Sequence, residues 1–150
     1  SFLHTGMFVL ADETDLTEDS ICRVVAQAHA VVVILSRNSM ESACQLCAMA
    51  SAMKRLEVPE RFQVIPVSTP SFKFPEEAYW SDSYPRLRPE ATAADCANTK
   101  NFFKRICVFF DIGASGHVLD AQAGDILKRI PQKVGMNDKG ASSSRSRGFN

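Results

Sequence analysis

The run Ala30-Val-Val-Val-Ile-Leu35 constrains the fold of this chain more than any other segment. Its four consecutive β-branched residues lose side-chain freedom in a helix and pack well on a pleated surface, so Val31 to Leu35 is expected to be a strand. An unbroken apolar run implies burial on both faces, which places that strand at the centre of a parallel sheet. A second strand is expected over Phe62 to Val67. Between the two, Ala43, Leu46, Cys47, Ala50 and Met53 recur at three- and four-residue spacing, the mark of a helix with one apolar face. Ser39 or Ser42 is suited to cap it, Lys54 and Arg55 suit its C-terminal dipole, and Pro59 closes it. The two strands should therefore lie side by side and parallel, with the Ser42 to Arg55 helix crossing between them.

Around this unit the pattern is looser. Met7 to Ala11 has the apolar texture of another buried strand, and an acidic loop follows it. Ser20 is suited to cap a short helix carrying Ile21, Val24, Val25 and Ala28 on one face and ending near His29. From Ser68 to Glu90, Pro70, Pro75, Pro85 and Pro89 argue against long regular structure. Two helical turns are expected there over Glu76 to Ser83, with Pro75 at the first helical position. Ala91 to Ile112 reads as one long helix in which Phe102, Phe103, Ile106, Phe109 and Phe110 form a stripe, with Phe103 and Ile106 on the buried side and Gly113 and Gly116 ending it. Val118, Leu119, Ala123, Ile126, Leu127 and Ile130 line a further helix up to Pro131. Residues Gly140 to Asn150, rich in Ser and Arg, are expected to be disordered. The expected fold is α/β, a flavodoxin-like three-layer parallel sheet with helices on both faces, possessing a domain over residues 1–112, a helical extension over 113–139 and a basic tail over 140–150.

Composition narrows the function. A 45% apolar content over 150 residues is enough for one domain with a buried core. No apolar run reaches the roughly 18 residues of a membrane span, and the N-terminal residues lack a secretory pattern, so a cytoplasmic protein is expected. Cys22, Cys44, Cys47, Cys96 and Cys107 show no framework spacing and read as reduced thiols. The formal charge of zero hides an asymmetry: Asp12, Glu13, Asp15, Glu18 and Asp19 face no base within residues 1–20, whereas Lys128, Arg129, Lys133, Lys139, Arg145 and Arg147 oppose only Asp138 at the other end. Aromatic interleaving and base-reading motifs are absent from the basic end, which argues against a nucleic-acid partner.

In order and at their spacing, Leu35-Ser36, Asn38, Ser42 and Ile65-Pro66 resemble the middle of a Toll/interleukin receptor (TIR) domain. That family reads as an apolar strand ending in Leu-Ser, an Asn two residues on, a Ser, a Trp-Cys pair, a helical Glu, and a strand ending Ile-Pro. Met7 to Ala11 resembles the family's second strand and Asp12-Glu-Thr-Asp-Leu16 the loop after it, with Thr17-Glu18-Asp19 where members often carry Pro-Gly. The resemblance covers residues 2–67 and, loosely, Asn98 to Phe110, and leaves the family's first strand and helix without a counterpart. It implies a 2-1-3-4-5 strand order. It also implies a signalling or scaffold module that contacts other TIR-like domains or its own copies. The implied contact residues are Asp12, Glu13, Asp15, Glu18 and Asp19 of the acidic loop, with Ser36, Asn38 and Ser42.

Some members of the family cleave NAD at its glycosidic bond with the helical Glu. Matching Ser42 to the family Ser puts Ala48 at that position; matching Cys44 to the family Cys puts Cys47 there. Neither can stabilise an oxocarbenium-like transition state as a carboxylate does. Glu41 is the nearest acid and a weak catalytic candidate, because it precedes the helix. An interaction module without a cofactor is thus the primary expectation, and a NAD glycohydrolase, with NAD bound, the alternative.

Other motifs favour plainer explanations. Cys44-x-x-Cys47 lacks the two further ligands of a zinc site and reads as buried small hydrophobes. His29, Ser36 and Asp12 have no nucleophile elbow to make them a triad. A flavodoxin-like domain unrelated to the TIR family would carry a cofactor crevice at its strand C-termini.

Overall fold

A computed structural model describes residues 16–58 and 61–131 of the chain. The expected strand Met7 to Ala11, the residues Asp12, Glu13, Asp15 and Pro59, and the tail 140–150 lie outside the described residues. The elements run α1 (Glu18–Gln27), β1 (Ala30–Leu35), a 3-10 turn (Ser39–Glu41), α2 (Ala43–Arg55), β2 (Gln63–Ser68), α3 (Glu77–Leu87), α4 (Ala93–Phe102), β3 (Val108–Phe109) and α5 (Gly116–Arg129). The result is an α/β, flavodoxin-like arrangement in which helices flank a parallel sheet of order β1-β2-β3.

The central expectation holds. β1 and β2 pair in parallel from Ala30 opposite Gln63 to Leu35 opposite Ser68, and α2 connects them. Of the two serines suited to start α2, Ser42 is the cap, accepting from the Gln45 amide at 3.2 Å, while Ser39 begins the preceding turn. On one face of the sheet, Val33, Leu35 and Val64 join Leu46, Met49 and Ala52 of α2 and Phe102 of α4 in the main core. On the other, Ile65 and Val67 of β2 and Val108 of β3 meet Ile126 and Ile130 of α5. Part of the expected stripe of the last helix, Ile126 and Ile130, therefore covers the second face of β2 and β3, whereas Val118 and Leu127 of the same stripe are exposed.

Several expectations are corrected. β2, not β1, has a neighbour on each side among the described residues. The second face of β1 is open there too: Val32 is 39% and Ile34 55% exposed, because α5 reaches only the β2–β3 side. α1 begins three residues earlier than expected, since Thr17 and not Ser20 caps it. Thr17 Oγ1 accepts from the Ser20 amide at 3.2 Å and Ser20 Oγ accepts from the Thr17 amide at 3.0 Å, a reciprocal box that draws Glu18 and Asp19 out of the loop into the first turn. There the positive end of the helix dipole favours them. α3 runs a turn further than expected, through Pro85 to Leu87, and Pro75 lies before its cap residue Glu76.

The largest correction is at Ala91 to Ile112, which is not one helix. α4 stops at Phe102, and the chain turns and returns as β3, with Val108 opposite Val67 and Phe109 opposite Ser68. Ile106, Val108, Phe109 and Phe110 suit a strand at least as well as a helix stripe, and the open edge of β2 supplies the hydrogen bonds that decide between them. Arg105 Nε donates to the Val64 carbonyl at 3.2 Å and fixes the turn. Consequently Ile106 is 80% exposed, Phe103 is half-buried, and Phe102 is the side chain that enters the core.

α4 itself is short and depends on its start. Thr92 Oγ1 accepts from the Asp95 amide at 3.1 Å, and the Asp95 carboxylate accepts from the Thr92 amide at 2.8 Å and hydroxyl at 2.9 Å. Burial would raise the Asp95 carboxyl, but the Thr92 hydrogen bonds, with Arg88 and Lys54, outweigh it and hold it below the ordinary range. Thr92→Ala is expected to lower the urea midpoint by the equivalent of about 1 kcal/mol. A depressed carboxyl stabilises above its unfolded pKa and loses that contribution as pH falls through its folded one, so the gap between the two proteins should narrow below about pH 4.

Candidate functional site

The residues singled out by the sequence gather partly at the C-terminal end of β1 and partly at the start of α1. At the first place the chain turns sharply after Leu35. Ser39, 1% exposed, accepts from the Ser36 amide at 2.8 Å and donates to the Ile34 carbonyl at 3.3 Å, so its hydroxyl is consumed in holding the turn. Thr69, just beyond β2, donates to the Leu35 carbonyl through its amide at 3.0 Å and its hydroxyl at 2.8 Å. Tyr79 of α3 donates to the Met40 carbonyl at 2.6 Å, and burial pushes its phenol up to about 12, keeping it a donor. These ties present Arg37, Asn38 and Glu41 on an exposed ridge, with Ser36 half-buried behind them and Ser42 occupied as the cap of α2.

At the second place Glu18 and Asp19 separate in role. Both Glu18 oxygens accept from Arg88, Nε to Oε1 and Nη2 to Oε2, each at 3.1 Å. Arg88 is 6% exposed, and although burial disfavours its charge, the Glu18 hydrogen bonds hold its pKa higher still. Asp19 is exposed. Sequence reasoning did not find Arg88, because nothing in Leu87-Arg-Pro distinguishes a buried arginine from a surface one; its partner is 70 residues away.

The positions matched to the family's helical Glu lie elsewhere again. Cys47 is 1% exposed on the side of α2 facing α1, with its sulfur 3.9 Å from the Glu18 carbonyl, and Ala48 packs against the main core. Cys44 directs its thiol to the Leu16 carbonyl at 3.6 Å. His29 and Ser36 stand at opposite ends of the six-residue strand β1, about 20 Å apart at strand rise, too far for a triad.

Two surface depressions were not foreseen. One, of about 340 Å³, is lined by Glu77, Trp80, Ser81, Cys96 and Lys100. Lys100 Nζ stands 5.4 Å from the centre of the Trp80 ring and 3.7 Å from Glu77. Beside it Phe72, Phe74 and Phe103 form an aromatic group, Phe74 being 60% exposed. The Phe72-x-Phe74 and Trp80 spacing was the available signal. The other, of about 490 Å³, lies between β3 and α5 and is lined by residues including Val108, Gln122 and Arg129. Neither includes any of the catalytic or contact residues proposed from the sequence.

No helix among the described residues is long and apolar enough to cross a membrane. No protein-family model matches the chain, and no curated protein matches it significantly.

Proposed function

We propose that this chain is a TIR-like signalling or scaffold module that acts through protein–protein contact. The observation that carries the reading is the environment of Cys47 and Ala48. The helical position that the resemblance matches to the acid of an NAD-cleaving member, Ala48 or Cys47, carries packing residues between α2 and its neighbours. The order β1-β2-β3 is compatible with the last three strands of a 2-1-3-4-5 sheet. The ridge Arg37, Asn38 and Glu41, exposed and backed by hydrogen-bonded turns, is a rigid surface suited to contact.

The test has two arms. Purified protein incubated with NAD is expected to release no nicotinamide, and release abolished by Glu41→Ala would establish the NAD-glycohydrolase alternative instead. In sedimentation, reversing Asp19 to Lys should weaken self-association or partner binding several-fold. Added salt should mimic part of that effect, because exposed charges are screened within about 10 Å at 0.1 M salt. Association indifferent to both changes would remove the acidic surface from the proposal.

A further inference from the structure

Two thiols from neighbouring helices converge on one hydroxyl. Cys22 of α1 and Cys47 of α2 place their sulfurs 3.4 and 3.9 Å from the shared Ser51 Oγ. Both are free, Cys22 exposed and Cys47 buried, so a reagent in solution reaches the first and not the second. Arg88 completes the cluster. Its cation is near enough to Cys47 to favour the thiolate, and its Nη1, buried with the rest of the side chain, has no hydrogen-bond partner among the described residues. A buried donor without an acceptor is costly, and a thiolate or a sulfur-linked oxygen beside it would supply one.

We propose that Cys22 is a site of modification by small-molecule disulfides and that Cys47 resolves the adduct into a Cys22–Cys47 disulfide joining α1 to α2. In the first step the Cys22 thiolate attacks one sulfur of a disulfide such as oxidised glutathione. A mixed disulfide forms, and one glutathione thiolate leaves and takes up a proton. In the second, the Cys47 thiolate attacks Cys22 Sγ, forming the intramolecular bond and expelling the second glutathione thiolate. Two protein thiols are oxidised and one glutathione disulfide is reduced to two thiols. Burial pushes the Cys47 thiol up to about 11, against the pull of Arg88, so the second step is the slow one. The product would tie the first turns of α1, where Glu18 and Asp19 stand, to the sheet-bound helix α2. The proposal does not depend on the scaffold reading.

Reduced protein incubated with oxidised glutathione is expected to lose the mass of two hydrogen atoms, with peptide mapping locating the bond at Cys22 and Cys47. Cys47→Ser should stop at a single glutathione on Cys22, and Cys22→Ser should stay reduced; circular dichroism confirms that both are folded. Resolution of the adduct should accelerate about tenfold per pH unit between roughly pH 7 and 9, since the attacking thiolate fraction rises that steeply below its pKa. Wild-type protein that stays reduced, links Cys44 to Cys47 instead, or accumulates glutathione on several cysteines alike would overturn the proposal.

Discussion

Phe102→Ala is expected to destabilise the protein by about 3–5 kcal/mol, the cost of emptying a large aromatic site that cannot collapse. Phe102 is fully buried at the end of α4, in one cluster with Leu35, Leu46 and Met49, and its ring meets Phe103 edge-on at 5.3 Å. The neighbouring positions should respond in a graded way. Phe103 is half-buried and stacks on Phe72 at 6.0 Å, so Phe103→Ala should cost about 1–2 kcal/mol through lost ring contacts and partial burial. Ile106, 80% exposed, should tolerate Ala within about 0.5 kcal/mol. Urea denaturation of the three variants checks this. A penalty at Ile106 above that at Phe102 would restore a continuous helix through Ile112 and remove β3.

Glu18→Lys should be nearly as damaging, although the same charge reversal one residue on at Asp19 should be mild. Removing Glu18 strands the Arg88 guanidinium, which already has one nitrogen without a partner among the described residues, away from water. Breaking a fully buried pair costs about 3–5 kcal/mol; with Glu18 46% exposed, part of the loss is recovered by solvent, and about 2–4 kcal/mol is expected. Lys adds a second cation beside the first, so it should lie at the upper end and Glu18→Gln at the lower. Double replacement of Glu18 and Arg88 by Gln and Met should recover most of the loss, because no buried charge is then left alone. A thermal melt in which Glu18→Lys and Asp19→Lys shift equally would mean that Arg88 does not need its partner. The comparison also guards the association test, since loss of binding in a Glu18 variant would report unfolding, whereas loss in an Asp19 variant would report a surface.

The sequence by itself determined the β1–α2–β2 unit, because there the signals agree. Four β-branched residues exclude helix, small apolar residues at helical spacing exclude strand, and Ser42, Lys54 and Arg55 mark the ends of what lies between. It also determined that α5 has an apolar stripe, through Ile126 and Ile130, without saying what the stripe covers. Only the tertiary structure decided the fate of Ile106 to Phe110, where a run of aromatic and branched residues fits either period and the free edge of β2 made strand pairing the better outcome. Tertiary structure likewise decided the use of the acidic segment. Glu18 and Asp19 look alike in sequence, but the helix begun by Thr17 turns one toward Arg88 and the other to water. The reason is general: helix and strand signals repeat within a few residues and can be read locally. The partner of a buried charge or of an open sheet edge lies tens of residues away and is set by packing alone.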